Sequence, residues 1–367
     1  MRSTFVVFVF FGWVAAGCGG GTEGPLYDVL EYDLHREGHF NTGYLEWDIT
    51  YTPLAGGASR TIPLHVWYPT RDEDSSTGYP TYSGLFFDSD SLMDARPAAP
   101  VYPAGYPVLV YSHGHRGVAG GSARLARYLA SHGWLSVAPG HVGNRLEDGA
   151  AAEVSSFNHW LERALDVSAA LDALGDLPPQ HPLAALANVE RVLLTGHSRG
   201  AYTSWVLAGA SFDREATEAR CDQGVYAGGC SQETLARMGL GLGDSRVVAI
   251  MPTAGSGHSE FFDGVGGRDH LGVPVLMMSA EADDVGAGRL FETLNIEDFT
   301  WVEIKGGCHE LFNLGCGFRE DRDKFPIVTT YALAFGRRQV LRDKDVEVLK
   351  ILEEEAAVSE HARLLRR

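Results

Sequence analysis

This chain of 367 residues predicts an α/β fold: a mostly parallel central sheet with helices on both faces. Three observations carry that expectation. From residue 106 onward, short apolar runs alternate with longer amphipathic stretches. Several of those runs, RVLLT at 191–195 among them, are apolar on both faces, as strands buried between two helical layers must be. That run enters Gly196-His197-Ser198-Arg199-Gly200 and a helix-forming stretch leaves it, so a Gly-x-Ser-x-Gly pattern occupies a strand–turn–helix junction.

The elements follow in order. Residues 43–51 and 62–69 read as two strands at the start of the sheet, the second ending at Pro69. Residues 71–100, rich in Asp, Ser, Pro and Gly, read as a long surface loop. A strand at 106–112, a helix over 121–132, a strand at 134–138 and a longer helix over 155–174 come next. The strand before Ser198 and its helix follow, then strands at 246–251, 273–278 and 299–304, with helices over 287–294 and 323–335. Residues 211–244 break the rhythm with two cysteines and several glycines, and are expected to be an insertion that could cap the site. Residues 341–367 are charged and predict a solvated helix. No internal repeat is evident.

The first residues predict export. Arg2 is the only charged side chain ahead of the apolar run 5–14, which is too short to span a bilayer and has the shape of a signal-peptide core over 1–17. It ends in Ala15-Ala16-Gly17-Cys18, similar to a bacterial lipobox with Ala15 in the usual Leu position. Cys18 is therefore expected to carry lipid, the alternative being an ordinary cleaved signal. Residues 18–40 are expected to be a flexible tether and N-terminal segment. The four other cysteines suit an oxidising compartment, with Cys221–Cys230 and Cys308–Cys316 the simplest of three possible pairings. A metal site is the rival use of these cysteines, but no Cys-x-x-Cys or helical His pair accompanies them. The net charge of −18 excludes a nucleic-acid partner and disfavours purely electrostatic docking to anionic lipid.

A Ser at such a turn acts only with a general base oriented by an acid, in the chain order Ser, acid, His. His309 sits in a Gly-containing loop directly after a late strand and is the expected base, with His258 next. Asp283 is the expected acid, ahead of Asp284 and Glu281; the others are expected to cap the following helix. Backbone N–H groups of Arg199 and His115 are the expected oxyanion donors. His113 and His115 read as packed histidines rather than metal ligands, because no acidic or Cys partner lies nearby in sequence. Trp205, Phe261, Phe262 and Phe312 are candidates for an apolar pocket or for core. No metal or organic cofactor is called for by this constellation.

Several phrases resemble one group of proteins. Residues 62–69, 106–114 and 130–134, and Arg163-Ala164-Leu165-Asp166-Val167, look like the α/β-hydrolases related to platelet-activating-factor acetylhydrolase and the predicted dienelactone hydrolases, over roughly residues 60–335. Gly-His-Ser-Arg-Gly is also the form found in chlorophyllases, and residues 280–283 and 306–309 are similar to cutinase-type polyester hydrolases. The resemblance implies an α/β-hydrolase fold over 41–340 and hydrolysis of a small-molecule or lipid carboxylic ester without cofactor. In the acetylhydrolase the acid follows the strand after the nucleophile helix. Here that strand ends at residues 251–255 without a carboxylate, so the cutinase-like position of Asp283 is preferred. A hydrolase-fold binding protein without turnover and a serine peptidase are the competing readings.

Overall fold

The computed structural model describes residues 32–367 apart from 55–56, 154–155, 227–228, 256–260, 263–266, 270 and 354–356. The expected signal peptide, Cys18 and His258 lie outside the described residues.

Ten strands form one sheet. In spatial order they are β12 (Ala362–Arg366), β11 (Phe299–Ile304), β10 (Val275–Ala280), β9 (Val247–Thr253), β8 (Ala187–His197), β6 (Tyr106–Ser112), β7 (Leu135–Pro139), β2 (Arg60–Thr70), β1 (Asn41–Tyr51) and β5 (Ser91–Met93). The run from β7 through β11 is parallel throughout. β1 and β2 add antiparallel at one side, and β12 antiparallel at the other.

Side-chain alternation divides the core into two layers, because successive residues of a strand point to opposite faces. Val108, Val110, Val192, Leu194, Val275 and Met277 pack against Trp160, Leu161 and Ala164 of α2 (Asn158–Gly175) and Tyr202 and Trp205 of α3 (Arg199–Leu207). Leu109, Leu193, Leu276 and Met278 face Leu125 and Leu129 of α1 (Ala123–Ser131) and Tyr331 and Phe335 of α7 (Phe318–Gln339). Trp205 and Phe261 are wholly buried in the first layer, so they are core.

Two expectations need correcting. The expected loop 71–100 contains a two-stranded hairpin, β3 (Thr81–Tyr82) with β4 (Phe86–Phe87), and also β5. The 341–367 segment, expected as one solvated helix, holds a short α8 (Val346–Leu352) and then β12, whose residues pair with Thr300–Ile304. The N-terminal segment up to residue 40 packs on the domain from residue 32 on, while the tether expected before it lies outside the described residues. Leu34 is buried, its carbonyl accepts from the Tyr128 hydroxyl, and Gly38 N–H donates to the Ser131 hydroxyl.

Residues 211–244 carry α4 (Arg214–Asp222), capped by Asp213, and α5 (Gln232–Gly239), capped by Ser231. The Cys221–Cys230 disulfide joins them, and Tyr226, Leu235 and Met238 pack into the first core layer. A second disulfide joins Cys308 to Cys316. Two disulfides mark an exported protein. Among the described residues, no helix is long and apolar enough to cross a membrane.

Candidate active site

The parallel strands all end along one edge of the sheet, where the loops that follow them gather. Ser198 caps α3 there, with φ 55° and ψ −113°, a region that side chains avoid. Its N–H donates to Thr253 O at 2.9 Å, which anchors the strained residue to β9. The flanking glycines make the turn possible. A Cβ at Gly196 would lie 2.1 Å from Gly200 O, and one at Gly200 would lie 1.9 Å from Ser112 O.

His309 opens a short 3-10 turn directly after Cys308. Its Nδ1 lies 2.7 Å from Asp283 Oδ2. Asp283 belongs to the loop after β10, so two neighbouring strands deliver acid and imidazole side by side. The other two carboxylates of that loop do different work. Glu281 accepts from Gly306 N–H at 2.9 Å, and Asp284 accepts from Gly286 N–H at 3.3 Å. Neither caps the next helix, α6 (Ala287–Thr293), whose N-cap is Gly286 without a side-chain bond.

Ser198, His309 and His115 line one cleft of about 220 Å³, together with Gly114, Arg116, Gly117, Val118, Leu146, His197, Glu310, Asn313 and Leu314. The Ser198 hydroxyl makes no hydrogen bond among the described residues, which leaves its oxygen open to the cleft. None of residues 211–244 is among those lining the cleft. Phe312 is buried behind the His309 turn rather than in the cleft.

Above Ser198 runs the loop after β6. A Cβ at Gly114 would stand 3.3 Å from Ser198 Cβ and 3.1 Å from His197 Nδ1, so glycine lets this loop pass close over the turn. The His115 N–H is without a partner among the described residues. Arg199 is the first residue of α3, where a backbone N–H has no intrahelical acceptor and the helix dipole is positive.

The loop is held from beneath by a buried polar network. Arg163, from α2, donates to His113 O, to Ser112 Oγ at 3.2 Å and to Asn144 Oδ1 at 2.9 Å. Burial and the Arg199 guanidinium lower its pKa to about 9, which still leaves it a cation at neutral pH. Asn144 in turn donates from Nδ2 to His115 Nδ1 at 2.7 Å, and its carbonyl accepts from Arg116 N–H at 3.1 Å. His141 bridges Ser112 Oγ and Asp166 Oδ2, each at 2.9 Å, and Asp166 also receives Arg60 and the Tyr51 hydroxyl. Burial pushes the pKa values of His113 and His141 well below the usual imidazole range. His113 is packed as expected, but His115 is exposed at the cleft instead.

His197, inside the motif, also has a part. Its Nε2 lies 3.0 Å from His309 O, and the two rings are 4.6 Å apart. Burial, with the nearby His309, lowers its pKa to about 4, so it is neutral at neutral pH. Donor atoms of His197, His309 and Glu310 cluster within 4.8 Å, as a metal site would require. One atom of each has another partner, His197 Nε2 with His309 O, His309 Nδ1 with Asp283 and Glu310 Oε2 with Asn313 Nδ2 at 2.7 Å, while His197 Nδ1 is buried without a partner among the described residues.

Sequence reasoning did not single out Arg163, Asn144, His141 or His197 as parts of the site. The legible signal was Arg163 with Asp166 on the apolar face of α2, because charged side chains are rarely fully buried without partners.

Comparison with known proteins agrees with this architecture. The model of the chlorophyllase family, a family of α/β-hydrolase esterases, matches residues 91–218. No curated protein matches the sequence. Among solved structures, the fold is similar to that of a ferulic acid esterase from Streptomyces cinnamoneus. The TM-score is 0.57 at 18% identity, over 89% of this chain and 96% of that one. The chain has the α/β-hydrolase fold.

Proposed function

We propose that this α/β-hydrolase is an exported serine esterase that cleaves carboxylic esters through an acyl-enzyme intermediate. The observation that carries the reading is the Asp283–His309 pair, opening onto the same cleft as the strained Ser198. The likeness to α/β-hydrolase esterases supports ester hydrolysis in general.

In this mechanism Asp283 accepts the His309 Nδ1 proton and fixes the imidazole with Nε2 as base. His309 removes the Ser198 proton as Oγ attacks the ester carbonyl. The oxyanion settles against the N–H groups of His115 and Arg199, where the α3 dipole adds to the stabilisation. The tetrahedral intermediate collapses, His309 protonates the departing alcohol, and water deacylates Ser198 by the same steps in reverse roles. The substrate is a small-molecule or lipid ester. Attachment to the bacterial envelope runs through lipid on Cys18; a Cys18→Ala protein that stays in the membrane fraction would remove that part of the reading.

The test is hydrolysis of p-nitrophenyl acetate, butyrate and palmitate by the exported chain, with and without a serine-reactive organophosphate. Turnover that the organophosphate abolishes, and that falls by about 10⁴-fold or more in Ser198→Ala, is the expected result. Full turnover in Ser198→Ala would sink the mechanism. Failure to hydrolyse any ester, with no label on Ser198, would leave a binding protein.

A further inference from the structure

Resting on the ester-hydrolase reading, we propose that the His115 side chain determines specificity. Its Nε2–H donates a hydrogen bond to an acceptor oxygen carried on the acyl chain near the scissile carbonyl. The ligand class is thus an acyl group bearing an ether, carbonyl or hydroxyl oxygen, in preference to a plain alkyl chain.

The argument is an account of protons. A guanidinium can only donate, so the Arg163 contact at 2.9 Å identifies the Asn144 atom it meets as the amide oxygen. The other end of that amide is then NH₂, and the His115 Nδ1 it meets at 2.7 Å must accept. A ring nitrogen that accepts carries no hydrogen, so the imidazole holds a single proton. With Nδ1 accepting, that proton sits on Nε2. Nε2 has no partner among the described residues, and His115 is exposed where it lines the cleft beside Ser198.

The clamp fixes the ring as well as its tautomer. Arg116 N–H donates to Asn144 O, Leu146 N–H donates to Gly117 O at 3.1 Å, and Gly117 bridges Arg145, so two loops are stitched together beneath the imidazole. A donor whose geometry is set before binding adds selectivity without an ordering cost on binding. Around it the cleft is apolar at Val118, Leu146 and Leu314. Arg116, Glu310 and Asn313 also line the cleft, so selectivity comes from the fixed aim of Nε2–H beside Ser198 and not from its being the sole polar group there.

The test uses pairs of p-nitrophenyl esters of equal chain length, pentanoate and hexanoate against analogues with one ether oxygen in place of a chain methylene, each normalised to its hydroxide rate. The full exported protein should favour the ether analogue of at least one pair by roughly fivefold in kcat/KM, as one neutral hydrogen bond warrants. His115→Leu should bring that ratio to about one, and His115→Gln, whose amide N–H can stand where Nε2–H stood, should retain most of it. If His115→Leu does not fold, His115→Phe replaces ring with ring and carries the same expectation. A ratio near one in the unaltered protein, or a preference that survives His115→Leu or Phe, overturns the proposal while leaving the esterase reading intact. No hydrolysis of any ester, with no organophosphate on Ser198, brings down both.

Discussion

His197 Nε2 and the backbone carbonyl of His309 lie 3.0 Å apart, so the residue next to Ser198 ties down the turn that carries His309. The carbonyl can only accept, which places the His197 proton on Nε2. Replacing His197 by Leu should lower kcat by about tenfold with little change in KM, because the lost contact positions His309 rather than substrate. Gln, which can also donate from that position, should recover most of the rate. Equal losses in the Leu and Gln variants would show that ring packing against His309, not the hydrogen bond, is what matters.

The Cys308–Cys316 disulfide closes the loop that includes His309. For so short a loop the chain-entropy estimate is about 2.5 kcal/mol of stability. Cys308→Ser with Cys316→Ser should lower the urea midpoint accordingly and reduce kcat. Breaking Cys221–Cys230, which lies outside the cleft, should cost stability alone. Comparing the two double variants by denaturation and by turnover checks the distinction.

Arg163 is wholly buried and donates to four acceptors at once, Thr203 Oγ1, Asn144 Oδ1, Ser112 Oγ and His113 O. Arg163→Met would leave His113 O, Ser112 Oγ and Asn144 Oδ1 without its donors and Asp166 without its nearby charge. A loss of about 3 kcal/mol or more is expected from such a buried site. Arg163→Lys should be nearly as damaging, since one ammonium cannot span the fork of contacts. A Lys variant with unchanged denaturation would refute this account.

Acid should unfold the protein over a defined window. Burial lowers the pKa values of His113, His141 and His197, the last to about 4, from an ordinary 6.5. Between those limits the unfolded chain binds more protons than the folded one, so stability is full above about pH 6.5 and falls as pH drops. Each such histidine steepens the loss by up to about 1.4 kcal/mol per pH unit. Urea midpoints from about pH 7 down to pH 4.5 should decline steadily; a flat series would contradict the burial of neutral imidazoles.

The parallel core was legible because its strands are apolar on both faces and its helices amphipathic, signals that survive in a single sequence. The short strands were not. Residues 81–82, 86–87 and 91–93 are too brief to show any period, and β5 exists only through its pairing with β1. At β12 the sequence Ala-Arg-Leu-Leu-Arg favours helix locally, and pairing along β11 overrides that preference. In the site, chain order led to Ser198, Asp283 and His309, and geometry then separated Asp283 from Asp284 and Glu281 by the partner each carboxylate meets. The support beneath the cleft was hidden because Arg163, Asn144 and His115 are scattered along the chain and meet only through the crossing of α2 under β6.

β12 does more than lengthen the sheet. It pairs with β11 from Thr300 to Ile304, and the Arg367 side chain then donates to the carbonyls of Leu294 and Glu292. Without β12 the edge of the sheet would be β11, with the backbone groups of Thr300–Ile304 open to a strand from another molecule. The edge that remains is β12 itself, and it carries the exposed Arg363 and Arg366, charges of the kind that discourage pairing between molecules.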